Sequence, residues 1–153
     1  MLEIRCYQPA DYEIVWNLHV QALQQVGAYT GDGPWDDDMR DIEGFYLHNH
    51  GAFLVGVYEG RIVAMGALLQ LSAEDAEIKR MRVHPDMQGH GFGQAVLSAL
   101  EQQAVTLDYK TLHVSTSTLQ EAALHLYRKN GFQEVGEKMW RGLHELLFQK
   151  SIG

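Results

Sequence analysis

Cysteine is almost absent from this chain of 153 residues, which contains only Cys6. One cysteine cannot form an intramolecular disulfide, so a disulfide-stapled fold is excluded. The first residues also lack the apolar run of a secretory signal peptide, because Glu3 and Arg5 fall within them. We therefore expect a reducing environment and a cytoplasmic location for this protein.

Long hydrophobic runs are also missing. Glu59 and Arg61 interrupt the most apolar region, so no segment reaches the length of a membrane span and no membrane partner is expected. Apolar residues still make up 46% of the chain, which is enough to bury one sizeable core. No repeat or low-complexity tract interrupts the sequence, and we expect a single domain over residues 1–153.

Basic residues are scarce: 12 Lys and Arg stand against 20 Asp and Glu, which gives a net charge of -8 at pH 7. Proteins that bind nucleic-acid backbones normally present a basic face, so the balance argues against a nucleic-acid partner. Positive charge is nevertheless concentrated at Lys79, Arg80, Arg82, His84 and His90. Solvated strand positions would explain some of these residues, and a role facing a cofactor would explain others.

The segment Gln88-Gly89-His90-Gly91-Phe92-Gly93 lies between a predicted strand and a predicted amphipathic helix. Main-chain amides at a helix N-terminus lack intrahelical acceptors, the helix dipole adds partial positive charge there, and glycines let a phosphate approach closely. The spacing differs from the dinucleotide fingerprint, which needs a glycine at the position of Gln94, and no Walker Lys-Ser/Thr follows. The sequence therefore predicts an anion cradle for a diphosphate-bearing cofactor.

This glycine segment resembles the Gln/Arg-x-x-Gly-x-Gly/Ala signature of the GNAT superfamily of N-acetyltransferases. Farther along, Leu126-Tyr127-Arg128-Lys129-Asn130-Gly131-Phe132 resembles the family's Leu-Tyr-x-x-x-Gly-Phe element. Either match alone is weak, since a glycine turn is often only a tight connection and a helical tyrosine usually belongs to the core. Together, in the family's order, they form a specific resemblance that extends over nearly the whole chain.

The resemblance implies an α/β (α+β) fold with a mixed, mostly antiparallel central sheet of about seven strands and about four flanking helices. The apolar periodicity agrees with that architecture. A capping box, Thr118-Leu119-Gln120-Glu121, is expected to open the helix that carries Tyr127, and Gly131 to end it. Strands are predicted at 2–7, 53–58, 61–71, 76–83, around 112–114 and twice within 132–148, and helices at 14–26, 36–48, 96–107 and 121–130. A loop is predicted at 27–34, and a turn at 138–142 between the last two strands.

The strand at 76–83 has an irregular alternation. Ala76 and Ile78 place apolar side chains on even positions, whereas Met81 and Val83 place them on odd positions. A regular strand would expose one of these pairs, so we expect a bulge near Lys79 or Arg80. The family resemblance likewise implies a bulged central strand, which parts from its neighbour and opens a gap for the pantetheine arm of coenzyme A.

From the resemblance, the cofactor is acetyl-CoA or another acyl-CoA, used as a co-substrate, and no metal is expected. The segment Met81-Arg82-Val83 is expected beside the pantetheine, and Gln120 and Tyr127 are also expected to contact the cofactor. Members usually carry Asn seven residues before the tyrosine, so Gln120 keeps the amide but adds a methylene. The diphosphate is expected on the main chain of Gln88, Gly89, His90, Gly91, Phe92 and Gly93.

The resemblance also implies direct transfer of an acetyl group to a primary amine of a small molecule or peptide. Tyr127 matches the family's general acid, because a phenol of pKa about 10 can protonate a thiolate whose conjugate acid has a pKa of about 8.5. A tyrosine packed against the sheet is the alternative. Glu77 lies on the bulged strand where some members place a general base, and a solvated glutamate beside a water chain is the alternative there.

Tyr29 and Trp35 lie between the first two predicted helices, a region that often forms the acceptor wall in this family. Aromatic rings beside the carboxylates of Asp36, Asp37 and Asp38 would suit a cationic amine. Alternatively, the three aspartates cap and charge a helix N-terminus and Trp35 anchors the packing.

Two further hypotheses remain open at this stage. The chain could be a non-catalytic CoA-binding sensor or scaffold domain, for which Gln120 and the uncertain base give mild support, whereas the retained Tyr127 favours an enzyme. A homodimer is compatible with exposed aromatic residues such as Trp140.

Overall fold

The computed structural model describes residues 1–31 and 33–153, so Asp32, in the predicted loop at 27–34, lies outside the described residues. Within these residues, seven strands form one sheet in the order β1-β2-β3-β4-β5-β7-β6. The strands are β1 Glu3–Cys6, β2 Ala52–Tyr58, β3 Arg61–Gln70, β4 Asp75–Val83, β5 Thr111–Ser117, β6 Gln133–Trp140 and β7 Leu143–Ser151. The α-helices are α1 Tyr12–Gln25, α2 Asp37–Arg40, α3 Phe92–Thr106 and α4 Glu121–Lys129.

Neighbouring strands run antiparallel throughout the sheet except at β4 and β5, which are parallel. This confirms the predicted mixed, mostly antiparallel architecture. β4 and β5 pair only where Asp75, Ala76 and Glu77 face Thr111–His113. Beyond Glu77 the two strands separate, so the sheet carries the V-shaped gap that was expected in its centre.

The predicted bulge in the central strand is confirmed by the register of β3 and β4. Met65 pairs with Arg82 and Ala67 pairs with Lys79, so two residues of β4, Arg80 and Met81, stand opposite Gly66 alone. Arg80 adopts a left-handed conformation with φ 59° to accommodate the extra residue. A Cβ on Gly66 would lie 2.7 Å from the Met81 sulfur, so the bulge requires glycine at that position.

The bulge explains the irregular apolar pattern of β4. Ala76 and Ile78 before the bulge, and Met81 and Val83 after it, all pack in the core cluster beneath α3 and α4. On the opposite face of the sheet, α1 packs against a second cluster that includes Met65. Side chains alternate between the faces of a strand, so Arg82 is turned toward α1. No helix among the described residues has both the length and the apolarity to span a membrane.

The prediction of a single helix at 36–48 is wrong. A 3-10 turn at Pro34–Asp36 leads into the one-turn helix α2, the chain breaks at Asp41 with φ -145° and ψ 63°, and a π-helical turn follows at Glu43–Leu47. The Asp41 carboxylate accepts a hydrogen bond from the Gly44 amide at 3.1 Å. A side chain that accepts a hydrogen bond from a nearby backbone amide can interrupt a helix. The spacing of apolar residues, from which the helix was predicted, does not show this interaction.

The capping box predicted before α4 is also wrong. The helix starts after Gln120, and the hydroxyl of Ser117 accepts a hydrogen bond from the Leu119 amide at 3.0 Å instead. The end of the same helix follows the prediction, because Gly131 has φ 86° just past the cap residue Asn130. Arg141 and Gly142, both at positive φ, form the predicted turn between β6 and β7.

Candidate active site

Two adjoining cavities lie where β4 and β5 part. The hairpin cavity, about 410 Å³, is bounded by Tyr29 and Trp35, by the bulged part of β4, and by Trp140 and Leu143 of the β6–β7 hairpin. The glycine-loop cavity, about 430 Å³, lies between β4, the loop before α3, and α4. Both are lined by Met81, Arg82, Gln120 and Tyr127. We call these four residues the junction.

The loop that precedes α3 has the properties of an anion cradle. Among the described residues, no backbone or side-chain acceptor is hydrogen-bonded to the amides of residues 88–94. Gly89 and Gly91 adopt φ 83° and 78°, and a Cβ at either would meet nothing within 4 Å. Gly91 is the N-cap of α3 and offers no side-chain cap. These free donors at a helix N-terminus fit a diphosphate.

The main chain of β4 borders the gap. The His84 amide donates to the Val63 carbonyl on β3 at 2.7 Å. Alternate residues of an antiparallel pair face the partner strand, so the main chain of Val83 faces the gap. The Gln88 side-chain amide donates to the Val83 carbonyl at 3.3 Å and to the Gln25 side chain at 2.8 Å, which ties the start of the glycine loop to β4 and α1.

Tyr127 lies at the junction and is only 2% exposed. Its ring packs edge-on against Phe132, with centroids 5.5 Å apart, and against Phe148 at 6.2 Å. Burial raises the pKa of the hydroxyl above its ordinary value, because desolvation disfavours the phenolate, and the charge of Arg82 only partly opposes this shift. The hydroxyl is therefore a proton donor at neutral pH.

Glu77 and Gln120 both line the hairpin cavity. Glu77 pairs in register with His113 of β5 and is the last residue of β4 to do so. Gln120 precedes α4, its side chain forms no cap hydrogen bond with that helix, and it lines both cavities.

A buried ion-pair network anchors the bulge of β4 to the segment before α2. Arg80 donates to the two carboxylate oxygens of Asp38 at 2.6 and 2.9 Å and to the Trp35 carbonyl at 2.8 Å. The Tyr46 hydroxyl donates to the same carboxylate at 2.5 Å. Burial alone would raise the pKa of Asp38. The hydrogen bonds and the charge of Arg80, together with the hydrogen bond from Tyr46, outweigh burial and lower the pKa.

This network corrects the interpretation of the aspartates as carboxylates for a cationic amine, and the capping part of the alternative. The charging part of the alternative is confirmed, because Asp37 and Asp38 lie in the first turn of α2. Asp38 is neutralised by Arg80, and Asp36 is bonded to His19, so neither is a bare carboxylate for a cationic amine. Neither side chain caps a helix. Arg80 itself is buried in an ion pair with these aspartates. It is therefore neither a solvated strand residue nor a residue that faces a cofactor, the two roles considered for the basic cluster.

The Asp38→Ala substitution is expected to lower the free energy of unfolding by about 3–5 kcal/mol, because it leaves the buried Arg80 charge without its partner. Asp37 provides a matched control, since its exposed ion pair with Arg40 contributes little. Asp37→Ala should change stability by less than about 0.5 kcal/mol. Urea denaturation of both variants measures the difference, and equal losses would contradict a stabilising role for the network.

A second buried chain of contacts leads to the junction. The His19 ring, 1% exposed, lies with Nε2 3.0 Å from Asp36, and its Nδ1 accepts from Arg82 Nε at 3.4 Å. Desolvation lowers the pKa of His19 to about 4, against the raising effect of Asp36, and the charges of Arg82 and Arg80 lower it further. The imidazole is therefore neutral, with its proton on Nε2 toward Asp36.

His19 makes stability depend on pH in a defined window. Its folded-state pKa of about 4 lies below the unfolded value of 6.5, so the contribution is complete above pH 6.5 and is lost as pH falls toward 4. Between pH 7 and 5 the loss should be about 2 kcal/mol. His19→Gln should remove this part of the pH dependence in urea titrations. An unchanged dependence in the variant would assign the effect to other groups.

The structure brings together nearly all of the residues singled out from the sequence. Apart from His90, whose exposed ring stacks on Phe92 with centroids 5.6 Å apart, every predicted cofactor and catalytic residue lines one or both cavities. Trp35 packs edge-on against Trp140, as expected of a packing anchor, and it also lines the hairpin cavity, where its role toward an acceptor stays a prediction. Trp140 is half-buried against Trp35 instead of offering an exposed aromatic surface.

Two sets of residues around the cavities were not predicted from the sequence. His19 shares the apolar face of α1 with Val15 and Leu18. The presence of a histidine on such a face is the only sequence signal that could have indicated its place in the site. The hairpin residues Lys138 and Glu145, 3.7 Å apart, line the hairpin cavity through contacts between distant segments. No local pattern predicts that second set.

Comparison with known proteins identifies a family match. The sequence model of the acetyltransferase (GNAT) family matches residues 13–132. An acetyltransferase of Yersinia enterocolitica is 28% identical over 137 residues, which cover 86% of this chain and 88% of that protein. N-acetyltransferase 8F1 of Rattus norvegicus is 31% identical over 113 residues, which cover 68% of this chain and 51% of that protein.

Solved structures share the fold at lower sequence identity. A GNAT-family acetyltransferase of Staphylococcus aureus Mu50 superposes with a TM-score of 0.91 at 17% identity, with full coverage of both chains. A putative acetyltransferase of Salmonella typhimurium, solved with acetyl-CoA, superposes with a TM-score of 0.82 at 19% identity, covering 100% of this chain and 95% of that one. These similarities agree with the seven-stranded sheet and its central gap.

Proposed function

Since this chain belongs to the GNAT acetyltransferase family, we propose that it transfers an acetyl group from acetyl-CoA directly to a primary amine of a small molecule or peptide. One observation carries the proposal: a cavity with an anion cradle and a second cavity meet at Tyr127. Such a junction allows donor and acceptor to enter from different sides and react without a covalent enzyme intermediate. The whole of residues 1–153 is proposed to act as one domain.

The glycine-loop cavity is the proposed donor site. The free amides of residues 88–94 would hold the diphosphate, and the gap-facing main chain of Val83, with Met81, would lie beside the pantetheine. Solved neighbours from Salmonella typhimurium and Sinorhizobium meliloti contain acetyl-CoA, which supports the choice of donor. Acetyl-CoA supplies the acetyl group as a thioester that an uncharged amine can attack.

Two side chains are proposed to move protons. The buried Tyr127 hydroxyl, kept protonated by desolvation, would donate its proton to the sulfur as the C–S bond breaks. Glu77, at the point where β4 leaves β5, would accept the proton that the amine loses as the C–N bond forms, directly or through water. The proton balance is closed when Glu77 releases its proton to solvent and the Tyr127 phenolate regains one from solvent.

If Glu77 is the base, Glu77→Gln should lower kcat/KM by about 100-fold near neutral pH. The loss should shrink as the pH rises, because hydroxide and uncharged amine become more abundant. A pH–rate profile of both proteins measures this effect. A profile that is unchanged in shape and height would assign the proton transfer to a water chain.

Thiol release from acetyl-CoA tests the proposed function against the alternative of a CoA-binding sensor. The assay would present polyamines, amino acids, aminoglycosides and peptides in turn, with acetyl-CoA affinity measured on the same protein by calorimetry. Acceptor-dependent release with at least one class is the expected result. Tight acetyl-CoA binding without release in any class would favour the sensor, and absence of binding would overturn both.

A further inference from the structure

Arg82 presents free hydrogen-bond donors to the junction. Its Nε donates to His19 at 3.4 Å and its Nη1 to the Met81 carbonyl at 2.9 Å. A guanidinium carries five N–H groups, so most of them are left for other partners. Among residues 1–31 and 33–153, no carboxylate forms an ion pair with Arg82, although it borders both cavities.

The neighbouring Arg80, in contrast, has its charge paired with carboxylates. Arg80 has two hydrogen bonds to Asp38 and a further contact with Asp36 at 3.7 Å. Burial, and then the charge of Arg80, lower the pKa of Arg82 to about 10, which still leaves it cationic at neutral pH. A desolvated cation without a paired anion is unfavourable until a ligand supplies the anion.

The surroundings hold Arg82 in place for such a ligand. The neutral His19 ring accepts from Nε, and Asp36 fixes the ring through Nε2. His19 and Asp36 are both almost completely buried, so this support is rigid. When a guanidinium is held at its Nε, the N–H groups of its terminal nitrogens stay available to donate a pair of hydrogen bonds to a carboxylate.

We propose that the acceptor carries a carboxylate next to its amine, as amino acids do, and that Arg82 binds this carboxylate. The inference rests on the proposed acetyl transfer. Arg82 and Tyr127 both belong to the junction, so a carboxylate on Arg82 places an adjacent amine where the thioester must be attacked. A short separation between amine and carboxylate, as in α- and β-amino acids, fits this arrangement.

The rest of the hairpin cavity agrees with an amino acid acceptor. Trp35, Trp140 and Leu143 offer apolar surface to a side chain. The carboxylates of Asp36 and Glu145 are already paired with His19 and Lys138, and Glu77 and Lys79 also line the cavity. At the junction itself the one charged side chain is Arg82, which suits an acceptor carboxylate better than a polyamine. The structure therefore favours an anionic over a cationic acceptor.

Matched substrate pairs test the inference with the unaltered protein. L-Amino acids, a β-amino acid and the corresponding amino acid amides would be compared by thiol release from acetyl-CoA. The best acid should exceed its amide in kcat/KM by about 100-fold, the scale of a charge-assisted hydrogen-bonded pair. Equal or faster release with the amides would overturn the carboxylate site while leaving acetyl transfer intact. Failure to bind acetyl-CoA would instead count against the proposed function.

An equilibrium measurement covers acceptors that bind without rapid turnover. Thermal unfolding of the CoA-loaded protein should shift upward with the preferred acid and not with its amide, because only a bound ligand stabilises the folded state. If no acid gives either release or stabilisation, the inference is wrong.

Variants at Arg82 separate acceptor binding from a general effect on the site. Arg82→Gln should raise KM for the acid about 100-fold and bring the ratio of kcat/KM between the acid and its amide close to one. Arg82→Lys keeps the charge without the fork and should retain part of the preference. An equal fall in kcat for acids and amides would place Arg82 on the donor side and overturn the proposal. Folding of each variant is checked by its unfolding transition.

Discussion

Replacing Tyr127 with phenylalanine is expected to lower kcat by about 100- to 1,000-fold, the usual effect of removing a general acid. The substitution deletes one oxygen and keeps the ring that packs on Phe132 and Phe148. Acetyl-CoA affinity should therefore change by less than about threefold, because the cradle and the gap are untouched. Steady-state thiol release and calorimetric titration of acetyl-CoA measure the two quantities separately.

Tyr109 offers a matched control for this experiment. It is also a buried tyrosine, and its hydroxyl donates to the His50 carbonyl at 2.6 Å, but it lines neither cavity. Tyr109→Phe should cost about 1 kcal/mol of stability and leave kcat unchanged. If Tyr127→Phe weakens turnover and acetyl-CoA binding equally, Tyr127 is a packing residue and another group must protonate the sulfur.

Gly91→Glu is expected to reduce acetyl-CoA affinity by about 1,000-fold. A carboxylate about 4 Å from a phosphate charge costs about 4 kcal/mol near a protein surface, and a side chain at position 91 would extend into open space beside the proposed diphosphate position. The left-handed conformation at φ 78° costs any side chain with a Cβ about 1 kcal/mol in the free and the bound protein alike, so it lowers stability and not affinity. Calorimetric titration measures the total effect.

Gly91→Gln separates charge from shape. Glutamine has nearly the same size and the same conformational cost as glutamate, so it should weaken binding far less than the charged variant. Raising the salt concentration should narrow the difference between the two variants, because exposed charges are screened. Equal losses in both would show a steric or folding effect. Full affinity in Gly91→Glu would remove the diphosphate from this loop.

The sequence predicted the elements whose determinants are local. The glycine loop depends on positive φ at Gly89 and Gly91 and on an adjacent helix start, and both features are written in a few consecutive residues. The bulge in β4 was predictable because a two-residue alternation cannot change phase without an extra residue. Neither inference needed knowledge of distant contacts.

Helix ends were predicted less well because side chains compete for the same backbone donors. Asp41 captures the Gly44 amide and divides the predicted second helix, and Ser117 binds the Leu119 amide where Thr118 was expected to cap α4. Serine, threonine and aspartate side chains can all accept hydrogen bonds from nearby amides. Packing against the rest of the protein decides which of them does so.

What the sequence determined by itself is the pair of motifs that carries the family resemblance, the glycine loop and the bulge of β4, since these depend on short-range patterns. The parted sheet was expected from that resemblance, and the structure confirms it. What only the tertiary structure decided is which charged side chains around the hairpin cavity are paired. Asp36 and Asp38 are occupied by His19 and Arg80, while Arg82 is left without a carboxylate among the described residues. Electrostatic pairing depends on which side chains meet in space, and residues 42 positions apart, such as Asp38 and Arg80, meet only after the chain has folded.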